Sequence, residues 1–414
     1  MDEPVGPLPP LPRSRLRAAL RARVGGLSGH FWVIWSGTLI NRTATFVRPF
    51  LVLYLTGPEH RSLTTAGAVV SVAGFGSLVS QPLGGFLADR YGRRWTLAGG
   101  MIGTAAAELL LGYAPTLAFT FGAAALLGIL LDLYRPAVQA MVADLVPPGD
   151  RPRAYGLLFW AINLGFSIAM VVGGVLAQRG FIWLFWADAL TCVCFGLLVL
   201  RALPETRPRH GATPTRGSIG VLLHDRVMLA VVGLALVYAV VYSQATAGLP
   251  LAMQQAGFKP AAYGITVAVN GIVIVCVQPL VLNWLTRLEQ SRVIALGQLL
   301  VGVGFGLTQL AVTLPEYMAT VLVWTLGEIA TATLMSALVA ELAHRQMRGR
   351  YQGMLGMAWG GGALIGPFAG AWVLQNAGGA WLWSGCALCG VAAAAGQLLL
   401  GPSVRRRRAQ LAQG

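Results

Sequence analysis

Charge is scarce in this chain, and one kind of charge is almost missing. Only 11% of the 414 residues are Asp, Glu, Lys or Arg, against about 25% in soluble domains. That scarcity argues against an ordinary water-soluble fold. A single lysine, Lys259, stands among thirty basic residues, and only fifteen residues are acidic. Cysteine is sparse too: five in all, with Cys192 and Cys194 two apart. That spacing suits neither a CxxC redox pair nor a zinc site, so the cysteines are read as packing residues. No nucleotide-binding P-loop, no metal-ligand cluster and no Ser/His/Asp set that spacing can bring together is present. The chain is therefore not read as an enzyme; no cofactor and no metal are expected, and any energy must come from gradients or a partner.

What fills the sequence instead is hydrophobic residue, 56% of the chain, with a mean hydropathy of +0.67. A bilayer core of roughly 30 Å needs about 20 apolar helical residues per crossing. On that measure the sequence predicts an all-α polytopic membrane protein with twelve spans, at 30–56, 65–88, 96–114, 117–145, 154–177, 181–201, 227–250, 262–285, 292–312, 315–341, 351–375 and 380–400. The 53 glycines fit that reading, because small residues let helix backbones approach closely in lipid.

The net charge of +15 is distributed, not diffuse. All but six of the basic residues fall in segments that the twelve-span reading puts on one side, including Arg13, Arg15, Arg17, Arg21, Arg23, Arg90, Arg93, Arg94, Arg151, Arg153 and the tail Arg405–Arg408. Only Arg61, Arg179 and Lys259 occupy loops on the other side. The positive-inside rule then places both termini in the cytoplasm. The basic tails serve as topology signals that also attract anionic lipid, and nucleic acid is not expected as a partner. Residues 1–28 are polar and proline-rich without a signal-peptide cleavage pattern, and are read as a cytoplasmic leader.

The longest internal polar stretch runs from Arg201 to Arg226. It divides the chain into an N-terminal half (29–201), a cytoplasmic linker (202–226), a C-terminal half (227–400) and a basic tail (401–414). An internal repeat supports the division. Gln81-Pro82-Leu83 returns 197 residues later as Gln278-Pro279-Leu280, and Val142-Ala143-Asp144 as Val339-Ala340-Glu341. Gly156, Gly165 and Gly173 return at the same offset as Gly353, Gly362 and Gly370. Two parallel six-helix repeats with a site between them near mid-membrane are an established transporter architecture.

The turn between spans 2 and 3, Gly84-Gly85-Phe86-Leu87-Ala88-Asp89-Arg90-Tyr91-Gly92-Arg93-Arg94, resembles the signature loop of the major facilitator superfamily. Further segments resemble its twelve-helix drug:proton antiporters: Asp132-Leu133-Tyr134-Arg135-Pro136-Ala137, Tyr263-Gly264 with Asn270-Gly271, Gly327-Glu328, and Arg348 to Gly353. The resemblance covers nearly the whole chain. It implies the major facilitator fold and a gating latch. In that latch Gly84 and Gly85 allow close helix packing and Gly92 a sharp turn. Asp89 meets the N-terminal end of span 11, Arg93 or Arg94 pairs with Asp144, and Arg90 completes the basic cluster. One departure stands out. The glycine-rich motif of span 5 keeps Gly165, Gly173 and Gly174 but has Met170 where exporters carry proline, and the Gly-Pro pair occurs in span 11 as Gly366-Pro367 among Gly362 and Gly370.

Ionisable residues inside spans are costly and face cavities or one another. The resemblance implies that spans 1, 4, 7 and 10 line the cavity, which selects Arg42, Asp132, Arg135 and Glu328. Glu328 is the first candidate proton carrier, since a mid-membrane carboxyl can load and release a proton as its surroundings alternate between wet and dry; the alternative is a permanent ion pair with Arg42 or Arg135. Asp132, 196 residues before Glu328, is the second candidate, with a structural pair to Arg135 as its alternative. Glu108 and Asp188 lie toward the outer ends of spans 3 and 6. Tyr238, Tyr242, Gln244 and Trp324 are candidates for an aromatic substrate wall. The expected function is proton-coupled efflux, by antiport, of small hydrophobic or amphipathic compounds such as drugs. The expected setting is a bacterial inner (plasma) membrane, with the protein working as a monomer and taking a small-molecule substrate and protons. The alternatives are a uniporter or proton symporter for a specific metabolite, including an anion, and a membrane scaffold or sensor that transports nothing.

Overall fold

The computed structural model describes residues 26–206, 225–285, 287–343 and 347–413. The leader through residue 25, linker residues 207–224 and Thr286 lie outside the described residues. Among those described there is no strand. The helices are α1 Gly29–Thr43, α2 Val47–Thr56, α3 Leu63–Tyr91, α4 Arg93–Gly112, α5 Leu117–Leu131, α6 Tyr134–Leu145, α7 Arg151–Arg179 and α8 Ile182–Ala202 in the first half. The second half has α9 Arg226–Tyr242, α10 Gly248–Gln255, α11 Pro260–Leu285, α12 Gln290–Leu307, α13 Leu314–Leu342, α14 Arg348–Asn376 and α15 Gly379–Gln413. They make twelve crossings, because spans 1, 4 and 7 are each built from a broken pair: α1/α2, α5/α6 and α9/α10.

Each break precedes a proline. Pro49, Pro136 and Pro250 lack the N–H that would bond the carbonyl four residues back, at Thr45, Asp132 and Thr246. Proline is not sufficient, since Pro82, Pro279 and Pro367 sit inside unbroken helices. At the breaks the freed groups find other partners, as irregular backbone within a bilayer must. Asp188 accepts from the Phe46 and Val47 amides at 2.9 and 3.2 Å. Arg135 N bonds Asp132 O at 3.2 Å, and the Tyr263 hydroxyl donates to Ala245 O at 3.1 Å.

By length and composition, ten helical stretches among the described residues are apolar enough to cross a membrane. The two crossings outside that set have physical reasons. Span 1 is broken and carries Arg42 and Arg48. Helix α4 has 20 residues and begins Arg93-Arg94.

The sequence repeat returns as a packing repeat. Within each half, span 1 packs on span 5 and span 3 on span 6, as span 7 does on span 11 and span 9 on span 12. A Cβ at Gly165 would run into Arg42, and one at Gly362 into Ala239; the corresponding members of the two contacts are 197 residues apart. Gly173 lies against Phe46 and Phe50, while Gly366 and Gly370 lie against Ser243 and Gln244. The halves meet through span 2 on span 11 and span 5 on span 8. Gly174 approaches the Ala261 backbone, and Met170, fully buried, presents its carbonyl to Gly264. Met170 thus fills the site expected for proline as an inter-half packing residue.

Three apolar cores result. One contains residues of both halves, including Phe50, Leu55, Val69, Leu249, Met253 and Leu374. It lies toward the face opposite the Gly84–Trp95 turn. The other two, around Met141 and around Leu338, belong to one half each and lie toward the basic face that carries this turn. Gly85, Gly156, Gly353 and Gly356, all on that side, face open space. The halves are joined on one face and parted on the other.

Candidate functional site

Between the parted halves lies a cavity of about 820 Å³, lined by residues of spans 1, 2, 4, 5, 7, 8, 10 and 11. Arg42, Arg48, Asp132, Arg135, Tyr242 and Glu328 all line it.

The first half supplies its charge. Asp132, at the end of α5, takes Arg135 Nε at 2.7 Å and Arg48 Nη1 at 3.8 Å. Its side chain is 7% exposed, while those of Arg48 and Arg135 are 41% and 48% exposed, opening into the cavity. The Asp132–Arg135 pair occurs as anticipated, but across the break that Pro136 creates and not along one continuous helix. Arg42 lies over the Tyr134 ring, 5.4 Å from its centroid, and its buried Nε has no hydrogen-bond partner. Arg48 was not singled out for the site; the break before Pro49 turns α2 so that this arginine reaches Asp132.

The second half supplies a carboxyl in neutral company. Tyr242 donates its hydroxyl to Glu328 Oε1 at 2.8 Å, and Asn270 Nδ2 donates to Oε2 at 2.6 Å. Asn270 is itself fixed by Thr325 Oγ1 at 3.1 Å. Among the described residues Glu328 forms no salt bridge; of the two arginines expected as its partners, Arg135 pairs with Asp132 and Arg42 lies over the Tyr134 ring. Trp359 stands at the cavity with its ring edge-on to Tyr242 and Tyr238, 5.6 Å from each.

Three expected cavity residues are placed elsewhere. Tyr238 stacks behind Tyr242 at 6.0 Å and is buried. Trp324 is sandwiched between Tyr242 and Phe305, at 5.8 and 5.4 Å. Gln244 is buried in the contact of spans 7 and 11, donating to Gly366 O at 2.9 Å and Val240 O at 3.1 Å. The break at Ser243–Ala247 rotates Gln244 away from the face that Tyr242 presents. Asn270 and Trp359 are the residues sequence reasoning passed over; neither is ionisable, and nothing local marks them as cavity-facing.

The loop of the basic face is half engaged. Arg93 forms the salt bridge with Asp144 and donates Nη1 to Thr206 O at 2.7 Å. Its own amide donates to Glu205 Oε1 at 2.8 Å, beside Gly92, whose φ of +105° suits glycine. Arg94 donates to Leu200 O, so of the two arginines it is Arg93 that pairs with Asp144. Arg90 lies over Phe86 and Tyr91. Gly84 packs against the Leu133 carbonyl, whereas Gly85 touches nothing. Asp89 is exposed, with no hydrogen bond or ion pair among the described residues. The limb within the first half is made; among the described residues the limb between halves is not.

At the repeat-equivalent place Gln290 stands for Arg93 and Glu341 for Asp144. Gln290 donates to Glu341 at 3.1 Å, and Arg408 supplies the missing cation, pairing with Glu341 at 2.8 Å and donating to Gln290. Arg407 joins Asp225 at 2.8 Å, and Asp225 also accepts from Tyr351 at 2.7 Å. Arg405 pairs with Glu289. The arginines 405, 407 and 408, expected as lipid-attracting topology signals, are bonded to the second half.

Away from the cavity, Glu108, Asp188 and Cys192 come together in spans 3 and 6, their ligand atoms within 4.8 Å of one another. The separation of 80 positions between the two acids hid this cluster from the sequence.

Comparison with known proteins places the chain among transporters. The family model described as Major Facilitator Superfamily matches residues 34–347 and 247–414. An uncharacterized MFS-type transporter, YttB of Bacillus subtilis, is 28% identical over 83% of this chain and 87% of its own length. A Na(+), Li(+), K(+)/H(+) antiporter of Planococcus maritimus is 24% identical over 80% and 86%. Multidrug resistance protein MdtH of Aeromonas salmonicida is 28% identical over 72% and 76%. Among solved structures, a POT family transporter in complex with a thioalcohol conjugated peptide aligns with a TM-score of 0.77 at 13% identity, over 90% of this chain and 96% of the other. That likeness concerns the fold alone.

Proposed function

The chain belongs to the Major Facilitator Superfamily, whose members transport small molecules across membranes, and from its cavity we propose that it is a proton-coupled antiporter exporting amphipathic compounds. The observation that carries this reading is Glu328. It lines the cavity, is held by Tyr242 and Asn270, and lacks a cationic partner among the described residues. A carboxyl held by neutral donors can gain or lose a proton without breaking an ion pair, and its neighbours tolerate either state because a hydroxyl can donate or accept. Proton and substrate then compete for one cavity. The antiporter of Planococcus maritimus and the MdtH proteins are relatives whose names carry proton exchange and multidrug resistance.

In this reading the basic face is cytoplasmic, both termini lie inside a bacterial plasma membrane, and the structure represents the state open to the cytoplasm. The chain acts as a monomer, by rocking its halves. The apolar wall of Trp359 and Tyr242 takes the hydrophobic part of the substrate.

A second reading has its own observation: Arg42, Arg48 and Arg135 line the cavity against the single ion-paired acid Asp132. That excess of cation suits a specific anionic metabolite. Both readings are tested in energised inside-out vesicles given lipophilic cations, neutral dyes and organic anions. Antiport of amphipathic compounds requires that collapse of the proton gradient stops their accumulation and that Glu328→Gln does the same. Retention of full gradient-driven transport by Glu328→Gln removes the carrier assignment. Transport confined to anions and lost in Arg42→Gln selects the second reading.

A further inference from the structure

Glu108 and Asp188 stand out from the other acids of the fold because neither faces the cavity, a loop or a basic side chain at salt-bridge distance. They are 1% and 2% exposed. Asp188, one turn into α8, accepts the Phe46 and Val47 amides at 2.9 and 3.2 Å, and so caps α2 where span 1 breaks. Cys192, one turn further on, lies 3.9 Å from Asp188 Oδ1 and receives Asn41 Nδ2 at 3.2 Å. Glu108, from α4, brings a carboxyl oxygen into this cluster, and both of its oxygens are buried without a hydrogen-bond partner among the described residues. Among the described residues, Arg42 is the cation near enough to act on Asp188.

A buried carboxylate pair with one member unpartnered is untenable fully ionised: two negative charges within 4.8 Å face one arginine. A metal ion is a poor remedy. Alkali and alkaline-earth ions take about six or more oxygen ligands, whereas this pocket offers two carboxyls and a thiol, with amide N–H groups of Phe46, Val47 and Asn41 directed into it. One proton fits the donor set. It leaves a single negative charge opposite Arg42, and gives the otherwise partnerless Glu108 a hydroxyl to donate to Asp188, whose Oδ2 is already fixed by the α2 amides.

We propose that Glu108 and Asp188 form a second proton-binding site, sharing one proton between spans 3 and 6 behind the break of span 1. Release of that proton sets two carboxylates against each other and pulls on the Phe46 and Val47 amides. The strain falls on α2, which carries Arg48, and beside α1, which carries Arg42. The site is thereby linked to the charged wall of the cavity through the backbone of span 1. Its place in a transport cycle rests on the proton-coupled reading above; its existence does not.

The test therefore uses the purified full chain in lipid nanodiscs and reads the carboxylic C=O stretch by infrared difference spectroscopy in light and heavy water. The expected result is a carboxylic band that exchanges slowly with deuterium, persists in Glu328→Gln, and disappears in Glu108→Gln. A companion shift of the Cys192 S–H stretch, absent in Cys192→Ala, places the band beside Asp188. Absence of such a band in Glu328→Gln, where the pair is untouched, overturns the proposal even if Glu108→Gln does not fold. So does its survival in Glu108→Gln, or its removal by sodium or lithium chloride at constant pH, which would make the occupant a metal cation. If the band behaves as expected while Glu328→Gln transports normally, the Glu328 carrier assignment fails and this site stands.

Discussion

Asp132 and Glu328 occupy nearly equivalent places in the two halves, yet their neighbours differ in kind. Asp132 sits between two guanidinium groups, while Glu328 sits between a phenol and an amide. The helices around them differ as well, since Pro136 breaks span 4 just after Asp132 whereas α13 runs unbroken through Glu328. A duplicated scaffold thus holds one acid paired with cations and one held by neutral donors. The opposite walls of a single cavity differ accordingly: ion-paired charge on the first half, a carboxyl with neutral partners and aromatic surface on the second.

The largest effect should come from exchanging these roles. Glu328→Gln is expected to reduce gradient-driven transport roughly tenfold or more, read as kcat/KM, with little change in thermal stability because Tyr242 and Asn270 can still bond an amide. Asp132→Asn should do the reverse in emphasis. It leaves Arg48 and Arg135 without their shared counter-charge. Removing one partner of a fully buried pair costs about 3–5 kcal/mol, and cavity exposure of both arginines should reduce that to about 1–2 kcal/mol. A lowered Tm in detergent for Asp132→Asn, alongside an unchanged one for Glu328→Gln, would uphold the contrast. Equal losses of stability would dissolve it.

The fold was readable because hydropathy, glycine spacing and the 197-residue repeat are local or periodic signals that survive in one sequence. The Gly165–Arg42 and Gly362–Ala239 contacts are the same repeat in three dimensions. The loop's pairing of Arg93 with Asp144 was also readable, from the family's motif. What was hidden depended on breaks and on distant partners. Tyr242 and Gln244 are two residues apart, and the turn at Ser243–Ala245 sends one to the cavity and the other into a helix contact. Arg48 joined the site through another such break. Asn270 lies 58 residues from Glu328, and no spacing rule connects them. Glu108 and Asp188 were visible as charges in spans but not as neighbours.

The bases of the two halves extend the comparison. The first half keeps Arg93 and Asp144 within one motif, while the second has lost the arginine at Gln290 and recovers a cation from Arg408 of α15. The next largest effect should therefore belong to Arg407, which reaches Asp225, only 4% exposed, and Tyr351. Arg407→Ala is expected to destabilise by about 1–1.5 kcal/mol, since it removes the cation from a buried carboxylate that keeps only its Tyr351 and Met228 donors. Arg408→Ala, with half-exposed partners, should cost about 0.5–1 kcal/mol. Chemical-denaturation midpoints in detergent would rank them. If both prove neutral, the tail is a topology signal alone and the second half has no counterpart of the Arg93–Asp144 pair.

A smaller and purely kinetic effect is expected at Asp89. It makes no bond among the described residues, so Asp89→Asn should leave Tm unchanged. If Asp89 engages span 11 only when the basic face closes, by the helix-terminus attraction worth about 0.3–1 kcal/mol, the variant should slow turnover about two- to fivefold, by the conversion of free energy to rate. The same measurement on Thr286, its repeat counterpart, should show no change on replacement by Ala. A slowed Thr286→Ala would mean that both halves carry an active latch.

The smallest effect separates two adjacent glycines and sharpens the comparison of joined and parted faces. Gly84 lies against the Leu133 carbonyl, so Gly84→Ala forces α3 away from the α5/α6 break and should lower Tm. Gly85 faces open space, and alanine there should stabilise α3 in this state by about 0.5–1 kcal/mol through helix propensity. That gain is state-specific if span 2 must later pack closely against another helix. Gly85→Ala should then raise Tm slightly while reducing turnover, because the added methyl resists closure of the basic face. A gain in stability with unaltered turnover would show that the second glycine never meets a partner helix, and would confine the packing role of the pair to Gly84.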